Sequence, residues 1–478
     1  MRDSQLRRGL SRRGFLVGAA SACTAAAVPA VRSLASEDGF LELRAAPSLI
    51  PIFGENAPAT PVSAFNHQVP GPVIRATRGE RVRVRLINDL DEPTAVHWHG
   101  IRIDNRMDGV PGLTMKAVAP GESFDYDFVA PDAGTFWYHS HYNAHEQVDR
   151  GLYGAVIIDE PTPIGVDRDI WLVFDDWRLL PNNCIDEETF GRRYEWAREG
   201  RIGNTFTVNS KINPVFPVMR GERVRLRCVN AATAAGTFFE MSGLPMQTIA
   251  IDGQPLPEPV VSTGTTASLW PGQRMDFVVD IDDRVEERVA LRRWQEGRPI
   301  PIATFEVAGE IAPDPGRGPL RLEANGLPPP DLANAVPVPL HIAGGSRATR
   351  QRGFRNNREY RDVGLFWTIN GESGGPHFGF GQGAPLFDVE RGTTVLIEMI
   401  NDTFFPHAIH FHGHHMLAVA RDGRPLANQP WRDVEVMRSP DERLTVAMLA
   451  DNPGNWLYHC HMSEHHVAGM GGWFRVRA

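Results

Sequence analysis

The chain has 478 residues, a formal charge of −9, 22% charged and 42% hydrophobic residues, 46 Gly, 38 Pro and four Cys. This is the composition of a folded globular protein, and it excludes disordered, collagen-like and coiled-coil classes. Positive charge is nearly all arginine, since Lys116 and Lys211 are the only lysines, and no basic block lies beyond the N-terminus, so nothing supports nucleic-acid binding. At ~150 residues per domain the length suggests about three domains, and Gly and Pro spread along the chain predict many short strands joined by turns.

In chain order, Ser11-Arg12-Arg13-Gly14-Phe15-Leu16 comes first, ahead of an alanine-rich apolar stretch reaching Val31, with Ser33-Leu34-Ala35 as a small-residue cleavage site. This resembles a twin-arginine export signal over residues 1–35, so a periplasmic location, export machinery as a partner and no stable membrane span are expected. Its removal takes away six Arg and one Asp and moves the formal charge from −9 to −14. Cys23 leaves with it. An oxidising compartment permits a Cys184–Cys228 disulfide, yet Val224, Leu226 and Cys228 alternate along one strand, which equally fits a buried free thiol.

The remainder repeats itself three times. Arg78-Gly79-Glu80-Arg81-Val82-Arg83-Val84-Arg85-Leu86-Ile87-Asn88 returns as Arg220-Gly221-Glu222-Arg223-Val224-Arg225-Leu226-Arg227-Cys228-Val229-Asn230, and again from Arg391-Gly392 through Val395, Ile397 and Met399 to Asn401. Each copy alternates with period two, apolar inward and charged outward, as a half-buried strand does. A second shared pattern starts at Pro120-Gly121-Glu122, Pro271-Gly272-Gln273 and Pro440-Asp441-Glu442. Three all-β sandwich domains of about seven or eight strands follow, at 36–160, 161–315 and 316–478. The only helical patches expected are short, at 190–198 and after His461.

Histidine is the unusual residue. Seventeen are present, and five His-x-His pairs occur (His97/His99, His139/His141, His410/His412, His412/His414 and His459/His461) where chance gives about 0.6. His97 follows Asn88 by nine residues as His410 follows Asn401, and no histidine lies between His145 and His341. The first and third copies therefore share a site, and the middle copy reads as a spacer. Residues two apart on a strand face the same way, so each pair offers two imidazoles to one centre. Eight such imidazoles suit one to three borderline transition ions better than one tetrahedral zinc. Cys460 faces away from His459 and His461, His407 has the matching parity, and His465 and Met470 follow in a loop. Two His, one Cys and an axial Met are the donors of a blue-copper site.

His97-Trp98-His99-Gly100, Trp137-Tyr138-His139-Ser140-His141, His407-Ala408-Ile409-His410-Phe411-His412-Gly413 and His459-Cys460-His461 with His465 and Met470 resemble the copper signatures of three-domain multicopper oxidases, the laccase and cuprous oxidase family. The resemblance implies three cupredoxin-like Greek-key domains and four copper ions per chain. It assigns His97 and His410 to type 2 copper, and His99, His139, His141, His412, His459 and His461 to the type 3 pair. His407, Cys460, His465 and Met470 would hold type 1. Electrons would pass from Cys460 to His459 and His461, while Asp108 and Glu464 match family positions resembling proton-relay carboxylates. Ala408 stands where the family usually has Pro, which alters stiffness beside His407 but no ligand.

His145 occupies the type 1 position of the first copy, where Ser140, Arg150 and Thr94 replace the other ligands, and reads as a vestige without copper. His414, His415 and His466 are expected behind the ligands or at the surface, and His67, His341 and His377 as ordinary polar residues. The implied reaction couples one-electron oxidation of a donor, phenolic or a low-valent metal ion such as Cu(I), to reduction of dioxygen to water by a monomer, with copper tolerance as a physiological role. A copper-sequestering protein or a non-catalytic cupredoxin-like scaffold is the alternative. No Met-rich insert favours Cu(I), and the glycine-rich stretch 371–383, with His377, Phe378 and Phe380, reads as a connection or the border of a phenol pocket.

Overall fold

The three repeat copies become the middle strands of three sheets. Arg81–Asn88 lies between a parallel neighbour, Leu41–Ile50, and an antiparallel one, Ser123–Val129. Arg223–Asn230 lies in the same way between Arg168–Trp177 and Arg274–Asp280, and Thr393–Asp402 between Val336–Gly344 and Arg443–Ala450. The computed structural model describes residues 38–262, 266–312, 317–346, 363–374, 383–438 and 440–478, so residues 1–35 and the trio His377, Phe378 and Phe380 lie outside the described residues.

Each copy pairs this sheet with a second one, giving sandwiches of four and four strands, six and five, and seven and five. The fold is all-β, built of cupredoxin-like domains. The second and third sandwiches exceed the seven or eight strands expected because short additions such as Ala267–Leu269, Arg424–Pro425 and Trp431–Arg432 extend their edges. Helix is confined to single turns. The patch expected at 190–198 contracts to Arg193–Trp196, and the residues after His461 form Ser463–Val467, so His465 sits on a helical turn and only Met470 in the loop. Among the described residues no helix is long and apolar enough to cross a membrane.

Alternation holds in the first copy, where Val82, Val84 and Leu86 are buried between more exposed arginines. It fails in the middle copy, whose strand Arg223–Asn230 is buried along its whole length. The charged face there is an interface: Arg225 pairs with Asp276 at 2.6 Å and Glu160 at 2.8 Å, and Arg227 with Asp169 at 3.2 Å and the Thr135 hydroxyl at 3.0 Å. Buried arginines persist only where carboxylates share their burial. Cys228 faces the apolar core of this sandwich, and burial pushes its thiol well above the usual range. Cys184 lies in a turn at 180–184 with no bond to it, so among the described residues the cysteines are free thiols.

The first and third domains share one continuous apolar cluster, from Leu43 and Trp98 to Trp456 and Phe474. The middle domain keeps its own core and meets the first through Ile50, Trp137, Val173 and Trp177. At that contact Gly253 has φ +75°, and a Cβ would come within 2.5 Å of the Phe136 ring. Gly253→Ala combines left-handed strain with overpacking, and we expect it to cost about 3 kcal/mol, read as a lower thermal midpoint of the metal-free chain.

Candidate metal centre

Register brings the histidines together. Val96–His99 pairs antiparallel with Gly134–Ser140 so that His97 opposes His139, and His407–Phe411 pairs with Gly454–Cys460 so that His410 opposes His459. Each outer domain therefore presents four imidazoles on one sheet face, and the two faces meet. Three groups result, each with its ligand nitrogens within 4.8 Å of one another: His97, His99 and His410; His99, His139 and His461; His141, His412 and His459. Every group draws on both domains. His97 Nε2 stands 3.4 Å from His410 Nε2, His412 Nε2 stands 3.2 Å from His459 Nε2, and the His99 and His410 rings stack 3.9 Å apart.

The outward nitrogens explain why the inward ones are bare. His97 Nδ1–H donates to the Asp108 carbonyl at 2.8 Å and His410 Nδ1–H to the Asp433 carbonyl at 2.9 Å. His139 and His459 donate to the carbonyls of Ser140 and Cys460, both at 2.9 Å. His412 Nδ1–H donates to the Asp108 carboxylate at 3.0 Å, and His99 Nε2–H to Asp433 Oδ1 at 3.0 Å. With its proton fixed outside, each of these six rings turns a lone pair inward. His99 Nδ1, His139 Nε2 and both nitrogens of His141 and His461 are buried without a hydrogen-bond partner. Converging, unpartnered, neutral nitrogens fit a cation and little else.

The fourth group is His407, Cys460 and His465. Cys460 Sγ lies 3.9 Å from His407 Nδ1 and 3.6 Å from His465 Nδ1, and the two nitrogens are 3.1 Å apart. Met470 is buried beside them, its carbonyl accepting from the Cys460 N–H at 3.0 Å. The Ala408 carbonyl accepts from the His461 N–H at 2.6 Å, which ties the two strands next to His407. Burial pushes the Cys460 thiol up to about 12, so only a bound cation would make it a thiolate at neutral pH. Burial, with neighbouring imidazoles, lowers His99, His139, His141, His407, His410, His412 and His461 well below 6.5, and burial brings His459 and His465 down to about 4.

Asp108, at the end of the short turn Asn105–Met107, is fully buried between His97 and His412. The Glu464 carboxylate lies against Gly200 of the middle domain, and burial followed by the charge of Asp149 raises it to about 8. His466, His414 and His415 are buried rather than superficial, and the His466 ring packs 4.3 Å from His459. In the first copy Gln147 Oε1 accepts from Ser140 at 2.6 Å and Thr94 at 2.8 Å, the positions that match Cys460 and His407 of the third, while the His145 ring packs edge-on against Trp196. His67 meets Ser48 at 3.0 Å and His341 meets Asp402 at 3.3 Å, both at the surface.

Sequence reasoning missed Asp433 and, with it, the part played by the middle domain. That domain is more than a spacer. Arg274 grips Asp433 with two bonds of 2.7 and 2.6 Å, donates to the Thr135 carbonyl of the first domain at 3.2 Å, and is wholly buried. Gln273 donates to the Val434 carbonyl at 3.1 Å. The ring of His99 in domain one is thus oriented by a carboxylate of domain three, itself held by an arginine of domain two.

Asp433→Asn leaves buried Arg274 only Asp252, at 3.6 Å, as a counter-charge, a loss of about 3 kcal/mol, and releases His99. Its thermal midpoint and its copper content after reconstitution should both fall below those of the unaltered chain. A second expectation concerns acid. The buried imidazoles stay neutral in the fold but bind protons in the unfolded chain, so the unfolded state holds more protons between about pH 6.5 and 4. The stability of the metal-free chain should be complete above that window and fall through it by several kcal/mol, on the order of what two such shifts give, measured by urea titration at each pH.

Three multicopper oxidase family models match residues 52–163, 168–288 and 336–478. The chain is 30% identical to multicopper oxidase MmcO of Mycobacterium tuberculosis over 97% of its own length and 96% of the relative's, and 29% identical to Laccase-1 of Botryotinia fuckeliana over 86% and 77%. The solved structure of Lac15 from a marine microbial metagenome matches with TM-score 0.73 and 37% identity over 91% of this chain and 99% of that one. Joined to four buried groups of nitrogen and sulfur donors at the motif positions, these matches show that the chain belongs to the multicopper oxidases, copper-dependent oxidoreductases that use oxygen and a reducing substrate.

Proposed function

We propose that the chain holds four copper ions and reduces dioxygen to water with electrons from an aromatic, laccase-type donor. The single observation that carries this reading is the set of lone pairs converging from both outer domains one residue away from a His-Cys-His group. His97 and His410 hold the type 2 ion. One type 3 ion falls to His99, His139 and His461, and the other to His141, His412 and His459. His407, Cys460 and His465, with Met470 beside them, hold type 1. Copper supplies the electron transfers when bound.

The chain's own residues do the rest. Cys460 is bonded in sequence to both His459 and His461, so a covalent path of one residue joins the two centres. Asp108 keeps the proton of His412 outside the ligand cluster and stands ready to pass protons, of which four are needed per dioxygen. Burial of all the ligands excludes water. Glu464, raised to about 8, holds a proton near neutral pH on the side facing Asp149. The relative named a laccase supports an aromatic donor, and no exposed triad of metal-binding side chains among the described residues supports a metal-ion donor. A copper-sequestering protein would not need Cys460 between two ligands of another centre.

We further propose export as a monomer through the twin-arginine pathway to the periplasm, supported by Arg12-Arg13 and the apolar stretch after them. A physiological role in copper tolerance is compatible with the same chemistry.

The test is metal analysis and oxygen uptake on the reconstituted chain. About four coppers and a blue absorption are expected, with oxygen consumed in the presence of 2,6-dimethoxyphenol. Cys460→Ser should lose the blue absorption and about one copper, and its turnover should drop by at least 10³, on the order of losing an essential redox group. A fully metallated chain that consumes no oxygen with any donor would contradict the proposal.

A further inference from the structure

The donor side of the reaction has no assigned site, and the surroundings of His407 and His465 restrict where it can lie. His407 Nε2–H donates to Thr403 Oγ1 at 2.8 Å inside the third domain. His465 Nε2–H donates at 2.5 Å to the carbonyl of Arg198, a residue of the middle domain. Both rings and Cys460 are wholly buried. Neither outward imidazole edge is open to a molecule arriving from solvent.

The next layer outward belongs to the strap that carries the turn Arg193–Trp196. The Trp367 ring lies 4.4 Å from His465 and 5.1 Å from His407, and its Nε1–H donates to the Trp196 carbonyl at 2.7 Å. The strap therefore touches the metal-holding rings at two points, through the Arg198 carbonyl directly and through the Trp196 carbonyl by way of Trp367. Trp196 is half-buried with its ring edge-on to buried His145, Tyr194 is 67% exposed, and the Arg198 guanidinium lies 4.2 Å over the Tyr194 ring.

We propose that aromatic donors are received on this middle-domain strap, against Tyr194, Trp196 and Arg198, and that the electron crosses to His465 through the strap instead of from a donor touching the ring. The proposal rests on the reading of His407, Cys460 and His465 as the copper-holding group. Indole, phenol and guanidinium planes bind another aromatic ring by stacking. One electron leaves the donor, which departs as a phenoxyl radical after losing its hydroxyl proton to water, and the oxidant is the copper that the family chemistry supplies. The strap conducts the electron and is not itself consumed.

The full copper-loaded chain tests this without turnover, by stopped-flow bleaching of the blue absorption with 2,6-dimethoxyphenol in the absence of oxygen. Trp196→Leu should lower the second-order bleaching rate by about tenfold, and the exposed Tyr194→Ala, which also removes the ring under the Arg198 guanidinium, by a few-fold, on the order of one lost stacking contact. Trp196→Phe should keep most of the rate. The position and intensity of the blue absorption and the reduction potential should stay those of the unaltered chain in all three. Unaltered rates in both Trp196→Leu and Tyr194→Ala overturn the strap as the receiving site. So does a shift of spectrum or potential in step with the rate, since that marks a packing role only. An unaltered chain that shows no blue absorption overturns the oxidase reading itself and takes this proposal with it.

Discussion

A proton held on the outer nitrogen of a buried imidazole is the interaction on which the rest of this molecule depends. Carbonyls of Asp108, Ser140, Asp433 and Cys460 and the carboxylates of Asp108 and Asp433 each accept one such proton. The opposite nitrogens are thereby left as lone pairs aimed at each other. In a dry interior that arrangement is costly on its own, because unpartnered buried acceptors lose their water and gain nothing. A soft or borderline cation removes the cost by accepting all of them at once, so the same geometry that destabilises the metal-free chain selects copper-like ions when they are present.

Holding six rings to this pattern, with His141 and His461 beside them, requires rigid supports, and the sandwich supplies them. Each outer domain sets two His-x-His pairs on neighbouring antiparallel strands, where register fixes His97 against His139 and His410 against His459. The shared apolar cluster presses the two domains together. The third support comes from the domain without histidine, whose Arg274 locks Asp433 and through it His99. Its strand face of buried arginines makes the same point on a larger scale, since Arg225 and Arg227 are neutralised by carboxylates from both sides of the domain boundary.

Much of this was legible in the residues. The repeat marked the three central strands, and parity along a strand placed His407 with Cys460 and apart from His410 and His412. What stayed hidden has a common cause. Asp433 and Arg274 are 159 positions apart; Arg274 reads as one more charged residue at the start of the repeated strand after Pro271-Gly272-Gln273, and Asp433 as one in a bend between short strands. Only tertiary packing buries them. The same limit applies to Arg198, whose contribution to His465 is a backbone carbonyl that no side-chain pattern can announce. Alternation misled in the middle copy because it separates two faces but does not say what covers the second. The place of Glu464 beside His465 was legible, but not the contact its carboxylate makes with Gly200 of the middle domain.

The central claim is that inward lone pairs from two domains define the metal positions. Crystals of the copper-loaded chain measured above and below the copper absorption edge test it most directly. The account predicts three anomalous peaks among the eight imidazoles and a fourth between His407, Cys460 and His465. Peaks outside these groups, or a single peak shared by all eight rings, would contradict it.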